Sequence, residues 1–172
     1  KNEGLITFKD VSYHYPKASE NVLNNISFTA RPGETTAIIG STGSGKSTLI
    51  NLIPRFYDVT DGAIEIDGID IRKMTQADLR ANIGYVPQKG MLFSGNIVSN
   101  IAYGKDDAST DEIMKALEVA QAKNFVSEME DGIETAIAQG GGNVSGGQKQ
   151  RLSIARALVK KAPIYIFDDS FS

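Results

Sequence analysis

Alternating apolar and polar positions in the first part of the chain predict β-strands. Residues 5–8 and 11–15 alternate and contain β-branched and aromatic side chains, and residues 22–28 resume the pattern after a polar loop. A further alternating stretch, residues 63–71, contains Asp67-Gly68, a dipeptide typical of a tight hairpin. These segments predict an antiparallel β-sheet.

Two short runs differ from this alternation because nearly all of their residues are apolar. Residues 36–39 and 164–167 are therefore predicted to be buried strands, and we expect the second to be a central parallel strand that is covered on both faces. Residues 83–87 predict another strand, which Pro87 ends. Parallel strands together with helices indicate an α/β core.

Helical patterns occupy other parts of the chain. Residues 48–53 and 76–81 are predicted to be short helices, and residues 89–160 are mostly helical in character. Ser109 and Glu112 form a predicted capping box, which places the start of a helix there. The apolar face of that helix is expected to consist of Ile113, Ala116, Leu117 and Ala120.

Composition excludes several classes of function. The chain has 172 residues, a net charge of −3 and no block of basic residues, so nothing in its charge favours nucleic acid as a partner. It has no cysteine and one histidine, which excludes disulfides, thiolate metal sites and a histidine cluster for zinc. No apolar run approaches the roughly 20 residues that span a bilayer. Because the sequence begins with lysine, we expect a piece of a longer polypeptide.

A phosphate-binding loop follows the run at residues 36–39. Residues 40–48 match G-x-x-x-x-G-K-[ST] at every fixed position, between a predicted strand and a predicted helix. The glycines let successive backbone N–H groups point into one concavity, and the helix that follows directs its positive end there. Lys46 is expected to reach the β- and γ-phosphates of a nucleoside triphosphate, and the Ser47 hydroxyl to bind Mg²⁺. The predicted nucleotide-binding residues of the loop are Ser41, Thr42, Gly43, Ser44, Gly45, Lys46, Ser47 and Thr48.

Two carboxylates, Asp168 and Asp169, follow the apolar run at residues 164–167. Ligands of open α/β sheets bind beyond the carboxyl ends of the strands, so Asp168 is expected beside the phosphate-binding loop, where it would hold Mg²⁺. Asp169 would orient an attacking water molecule. Without the phosphate-binding loop, both acids would be interpreted as the start of a solvated loop.

A second helix start suited to phosphate lies at Ser145, Gly146, Gly147 and Gln148. A serine N-cap followed by two glycines leaves backbone N–H groups at a positive helix end. By itself this is a common way to begin a helix. If it binds phosphate, each of the two helix ends is expected to serve a different nucleotide, one of them held by another subunit.

Taken together, residues 40–48, Gln88, residues 144–148 and residues 164–169 resemble the nucleotide-binding domain of an ABC transporter of the exporter type. The resemblance implies a single, C-terminally incomplete domain over residues 1–172. Its P-loop NTPase core, with a parallel sheet and an N-terminal antiparallel β-subdomain, would comprise residues 1–88 and 161–172. A helical subdomain, residues 89–160, would be inserted into it.

The resemblance also implies roles for individual residues. Tyr15 matches the aromatic residue that stacks on adenine, and Gln88 matches a glutamine that contacts Mg²⁺, as Ser47 and Asp168 do. Residues 144–148 match the signature sequence, which acts in trans on ATP bound by a second nucleotide-binding domain. The implied partners include the transmembrane domains of an exporter, and the implied location is the cytoplasmic face of the cell membrane.

Two residues depart from the family pattern. Asp169 stands where a catalytic glutamate is usual, and its carboxylate lies roughly 1 Å or more farther from the water, an offset that can slow a reaction about 10²-fold. Gln139 stands where many exporters have an acidic residue. Both departures resemble the degenerate half of a heterodimeric exporter, whose own site hydrolyses ATP slowly.

Other functions agree less well with the motifs. A non-hydrolysing ATP-binding regulatory module remains the alternative, since Asp169 alone does not decide the rate. A small-molecule P-loop kinase would leave residues 145–148 unexplained, and a DNA-repair ATPase of the same superfamily would need sustained heptads that the sequence lacks.

Overall fold

The computed structural model describes residues 3–41, 43–87 and 89–168. The chain divides into two compact units, Lys1–Ile83 and Gly84–Ser172.

An antiparallel sheet of four strands organises the first unit. Its strand order is β2-β1-β3-β4. Phe8 of the first strand pairs with Phe28 of the second, and their rings stack with centroids 4.5 Å apart. The two strands predicted at residues 5–8 and 11–15 are one continuous strand, whose register shifts between Phe8 and Val11. The strands are β1 (Ile6–Tyr13), β2 (Leu23–Ala30), β3 (Asp61–Ile66) and β4 (Ile69–Asp70).

The described residues of the first unit form two α-helices, α1 (Lys46–Leu52) and α2 (Gln76–Ala81). The bounds of α2 confirm the helix predicted at residues 76–81, and the Thr75 hydroxyl caps it by accepting a hydrogen bond from the Asp78 N–H. A short 3₁₀ helix, Ile71–Lys73, precedes α2.

The buried strand predicted at residues 36–39 is wrong. None of the sheets formed by the described residues includes this segment, and Ile39 is 92% exposed. An apolar run becomes a buried strand only when neighbouring strands supply hydrogen-bond partners and cover its side chains. The described residues supply no such partner strand here.

Helices dominate the second unit, as predicted for residues 89–160. Ser109 and Glu112 form the predicted capping box, and the side chains of Ile113, Ala116, Leu117 and Ala120 are buried, which confirms the apolar face. The helices are α3 (Ile97–Ala102), α4 (Thr110–Val119), α5 (Lys123–Ser127) and α6 (Gly146–Val159). Their apolar side chains form one hydrophobic core.

Two short strand pairs complete the described part of the second unit. β6 (Gly95–Asn96) pairs with β7 (Ala136–Ile137). β5 (Ile83–Val86) pairs with β8 (Ile164–Phe167), so both strands predicted there are confirmed. Ile164 and Ile166 are buried but Phe167 is 37% exposed, so the prediction that β8 is covered on both faces is wrong for its last residue.

Candidate functional site

The glycines of the phosphate-binding loop have the backbone conformations that the motif requires. Gly43 and Gly45 have φ angles of +82° and +92°, in the left-handed region that favours glycine. A Cβ atom on Gly45 would lie 3.0 Å from side-chain carbons of both Val22 and Leu23. The Ser44 N–H donates a hydrogen bond to the Ser41 carbonyl, 3.1 Å away. The backbone conformation of Gly45 and its close neighbours therefore both disfavour a larger residue at this position.

Helix α1 begins without a capping side chain. Its N-cap is Gly45, which has no side chain that could accept a hydrogen bond from the first turn. The backbone N–H groups of a first helical turn have no partner within the helix, so an anion is a suitable acceptor for them. Lys46 and Ser47 belong to this turn and add a cationic and a hydroxyl group. The residues present thus fit a nucleotide phosphate. Thr42 lies outside the described residues.

Tyr15 is bound to α1 through its hydroxyl group. The Tyr15 hydroxyl and the hydroxyl of Thr48 are 2.7 Å apart and share a hydrogen bond. Thr48 is buried, whereas Tyr15 is 36% exposed. A half-exposed aromatic ring fixed at the phosphate-binding helix is suited to stack on a nucleobase.

Asp168 follows β8 and is held by a backbone and a side-chain contact. Its N–H donates to the Val86 carbonyl, 2.9 Å away. The Tyr85 hydroxyl donates a hydrogen bond to the Asp168 carboxylate. Burial first, and then the negative charge and hydrogen bond of Asp168, raise the pKa of Tyr85 to about 12, so Tyr85 remains a neutral donor at physiological pH.

Oxygen donors that suit Mg²⁺ are present in the Ser47 hydroxyl and the Asp168 carboxylate. Within residues 3–41, 43–87 and 89–168, no group of three or more acidic, histidine or cysteine residues is placed to hold a metal. Gln88, the third predicted metal ligand, and Asp169, the predicted catalytic acid, lie outside the described residues.

Helix α6 begins at the predicted residues with a complete capping box. The Ser145 hydroxyl accepts a hydrogen bond from the Gln148 N–H at 3.1 Å, and the Gln148 side chain accepts one from the Ser145 N–H at 3.0 Å. Gly146 and Gly147 are exposed, and a Cβ atom on either would meet nothing within 4 Å. Neither glycine is required by packing against the described residues.

One side chain makes two hydrogen bonds to the backbone of the segment before α6. Asn143 accepts a hydrogen bond from the Ala138 N–H and donates one to the Ala136 carbonyl, both at 2.9 Å. Gln139 begins a 3₁₀ turn whose two glycines, Gly140 and Gly141, both have positive φ angles.

Two further residues beside the predicted site residues were not found by sequence reasoning. Tyr57 contacts the Tyr15 ring, and Tyr85 holds the Asp168 carboxylate. Tyr57 follows a break in the helical pattern and has no periodic signal of its own. Tyr85 precedes Pro87 in a strand, where the alternation predicts its strand but not the acid it meets.

No helix in the described parts of the chain has the length and apolar character that crossing a membrane requires.

Known proteins are similar to this chain over almost its whole length. The family model described as ABC transporter matches residues 23–172. An uncharacterized ABC transporter ATP-binding protein of Mycobacterium bovis is 52% identical over 172 residues, and an ATP-dependent lipid A-core flippase of Thiobacillus denitrificans is 48% identical over 171 residues. These matches cover 98% and 99% of this chain, but only 29% and 30% of the relatives.

A solved structure gives the same result for the fold. The structure of a bacterial Atm1-family ABC exporter with ATP bound matches with a TM-score of 0.91 and 42% identity, over 97% of this chain and 29% of that one. The fold class predicted from the sequence, a P-loop NTPase core with an antiparallel N-terminal sheet, is confirmed by this likeness. The chain belongs to the ABC transporter family.

Proposed function

We propose that this chain is the ATP-binding part of an ABC exporter, which couples ATP binding and hydrolysis to the export of a substrate across a membrane. The observation that carries the proposal is the glycine loop before α1, whose Gly43 and Gly45 have left-handed backbone conformations, with Lys46 in the first turn of the helix that follows. The similarity to exporters and flippases over the whole chain supports the same function. Because the chain spans about 30% of these relatives, we propose that the transmembrane domains lie elsewhere in the assembly.

Nucleotide binding is assigned to the residues of the phosphate-binding loop and its surroundings. Backbone N–H groups at residues 41–48 and the Lys46 ammonium would bind the phosphates of ATP. Tyr15 would stack on the adenine base. Mg²⁺, when bound, would neutralise phosphate charge, and the oxygen atoms of Ser47, Asp168 and Gln88 would hold it. The Tyr85 hydrogen bond would keep the Asp168 carboxylate oriented toward the ion.

We assign the start of α6 to contact with a second nucleotide-binding domain. Ser145, Gly146, Gly147 and Gln148 are solvent-accessible at the N-terminus of a 14-residue helix, where first-turn N–H groups suit an anion. We propose that they contact the γ-phosphate of ATP held by a partner domain, in a head-to-tail dimer.

An exposed aromatic pair in the second unit is suited to contact the transmembrane domains. Phe93 is 42% exposed and Tyr103 69% exposed, and their ring centroids are 4.9 Å apart. The Arg156 guanidinium lies 4.9 Å from the centroid of the Phe93 ring and donates a hydrogen bond to the Asn100 carbonyl. Exposed apolar groups held in fixed positions are typical of protein contact surfaces. This contact would place the chain at the cytoplasmic face of the membrane, with residues 89–160 as its helical subdomain.

Asp169 bears on the rate at which this site would hydrolyse ATP. An aspartate in place of the usual glutamate sets the carboxylate back from the attacking water, so we propose that this site holds ATP and hydrolyses it slowly. The partner of such a site would be a different chain with a competent site, which the intact Ser145–Gln148 signature of this chain would complete.

Single-turnover hydrolysis in the intact full-length transporter tests this proposal. Asp169→Glu is expected to raise the rate at this site roughly 10- to 100-fold, whereas Asp169→Asn leaves the total rate almost unchanged. Loss of most hydrolysis in Asp169→Asn would show that Asp169 is a competent acid and would contradict the slow site. If neither variant changes the rate and ATP stays bound, the alternative function, a non-hydrolysing regulatory module, is favoured.

A further inference from the structure

The chain turns sharply after α1, and ionic contacts fix this turn. Arg55 has a φ angle of +57°, and the Phe56 N–H donates to the Asn51 carbonyl of α1 at 3.1 Å. The Arg55 guanidinium donates two hydrogen bonds to the Asp58 carboxylate, at 2.7 and 3.0 Å. These hydrogen bonds from Arg55 lower the pKa of Asp58, so the pair stays ionised at neutral pH.

A second arginine holds the same turn from α2. Arg80 donates hydrogen bonds to the carbonyls of Pro54 and Arg55, at 3.0 and 3.3 Å. Its guanidinium lies 5.3 Å from the centroid of the Phe56 ring, within the range of a cation–π contact. The backbone on the N-terminal side of Tyr57 is therefore anchored to two helices.

Tyr57 is the residue that this anchored turn presents. It is 41% exposed, yet its ring meets the Tyr15 ring edge to face, with centroids 5.5 Å apart and planes at 85°. Tyr13 meets Tyr15 in the same way, at 5.1 Å and 80°. With its hydroxyl bound to Thr48, the Tyr15 ring is restrained at three points.

The arrangement is costly if packing is its only purpose. The Tyr13 hydroxyl is buried, with 3% of the residue exposed, and it has no hydrogen-bond partner among the residues that the structure describes. A phenylalanine would pack there without an unpaired hydroxyl group. Two of the three rings also remain more than a third exposed, which is little burial for three large aromatic side chains.

We propose that Tyr57 is a positioning residue for the nucleotide base, acting through the Tyr15 ring. The proposal rests on the proposed function of the loop as an ATP site. A Tyr15 ring already restrained by Tyr57 and Thr48 loses little rotational freedom when a base stacks on it, so affinity for the base is gained without any contact to the phosphates. Tyr57 therefore contributes to ATP binding and not to the binding of a bare triphosphate.

Equilibrium binding to the purified full-length protein tests the proposal, with MgATP and magnesium tripolyphosphate as the two ligands. Tyr57→Leu is expected to raise the Kd for MgATP roughly 3- to 10-fold and to leave the Kd for tripolyphosphate unchanged, because an aromatic edge contact is lost and the loop is not. Tyr57→Phe, the matched control that keeps the ring, should bind both ligands like the wild type.

A second variant tests the same proposal in case Tyr57→Leu does not fold. Asp58→Asn removes one charge of the ion pair that fixes the turn and keeps all three tyrosine side chains. It should raise the Kd for MgATP roughly 2-fold and leave the Kd for tripolyphosphate unchanged. An unchanged ratio of the two Kd values in both variants would overturn the proposal, as would an equal loss for both ligands. Failure of the ATP site itself is distinguishable, since wild-type protein would then bind neither ligand.

Discussion

Helices α1 and α6 both begin with glycine-containing motifs, but their first turns are completed in opposite ways. Helix α1 starts at a left-handed glycine and has no capping side chain. Helix α6 starts at Ser145, and the side chains of Ser145 and Gln148 each accept a hydrogen bond from the other residue's backbone N–H in a reciprocal capping box. The N-cap residue of α1 therefore offers no side-chain acceptor, whereas that of α6 does.

Because of this difference, we expect the two helix starts to take part in nucleotide binding under different conditions. At α1 the N-cap residue offers no side-chain acceptor that a phosphate would have to displace. A nucleotide that uses the Ser145 hydroxyl or the Gln148 amide at α6 competes with hydrogen bonds that already exist. We therefore expect α1 to bind nucleotide in a single chain, and α6 to contribute only when a partner domain delivers a nucleotide already held elsewhere.

The largest expected effect is that of Lys46→Ala on the α1 site. Removing a charge-assisted contact to phosphate should raise the Kd for ATP roughly 10- to 200-fold. Isothermal titration of the full-length protein with MgATP measures this change. Lys73→Ala, at an exposed position of a 3₁₀ helix in the same unit, is the matched control and should bind ATP normally. Unchanged affinity in Lys46→Ala would remove the distinction between the two helix starts.

Gly147→Ala should separate function from folding at α6. A Cβ atom there meets nothing within 4 Å, and alanine favours a helix over glycine by roughly 0.5–1 kcal/mol. The variant should therefore fold at least as stably as the wild type, while steady-state ATPase activity of the assembled transporter falls roughly 10-fold because a close approach of nucleotide is blocked. Thermal unfolding and ATPase assays measure the two properties. Full activity would show that no nucleotide approaches this helix end.

The smallest effect comes from the two matched caps, Ser145 of α6 and Ser109 of α4. Each serine makes the same capping box, so Ser145→Ala and Ser109→Ala should each lower the free energy of unfolding by about 1 kcal/mol. Only Ser145→Ala should also lower ATPase activity. Equal ATPase activities in the two variants would show that the Ser145 cap stabilises its helix and has no further role.

Local chemistry explains why much of the fold was predictable. The capping box at Ser109, the serine N-cap at Ser145, the helix at residues 76–81 and the hairpin at Asp67-Gly68 all depend on residues that lie within a few positions of each other. All four apolar residues predicted to face inward on α4 and at its C-cap do so, because an amphipathic helix has one face to bury.

The features that were predicted wrongly or not at all concern residues whose neighbours in space are distant in the sequence. Residues 36–39 have the composition of a buried strand, but burial depends on partner strands that the apolar run itself does not specify. Tyr57 reaches Tyr15 because Arg55, Asp58 and Arg80 shape a turn between them. No sequence period encodes such a contact, so the support that Tyr57 gives to Tyr15 could not be predicted from the sequence.

The contact of Tyr13, Tyr15 and Tyr57 has a spectroscopic consequence. These are three of the six tyrosines of the chain, which has no tryptophan. Their ring centroids lie 5.1 to 5.7 Å apart, close enough for excitation energy to pass among them. A base stacked on Tyr15 would then quench the emission of all three rings, which makes the intrinsic ultraviolet fluorescence of this chain a label-free signal of nucleotide occupancy.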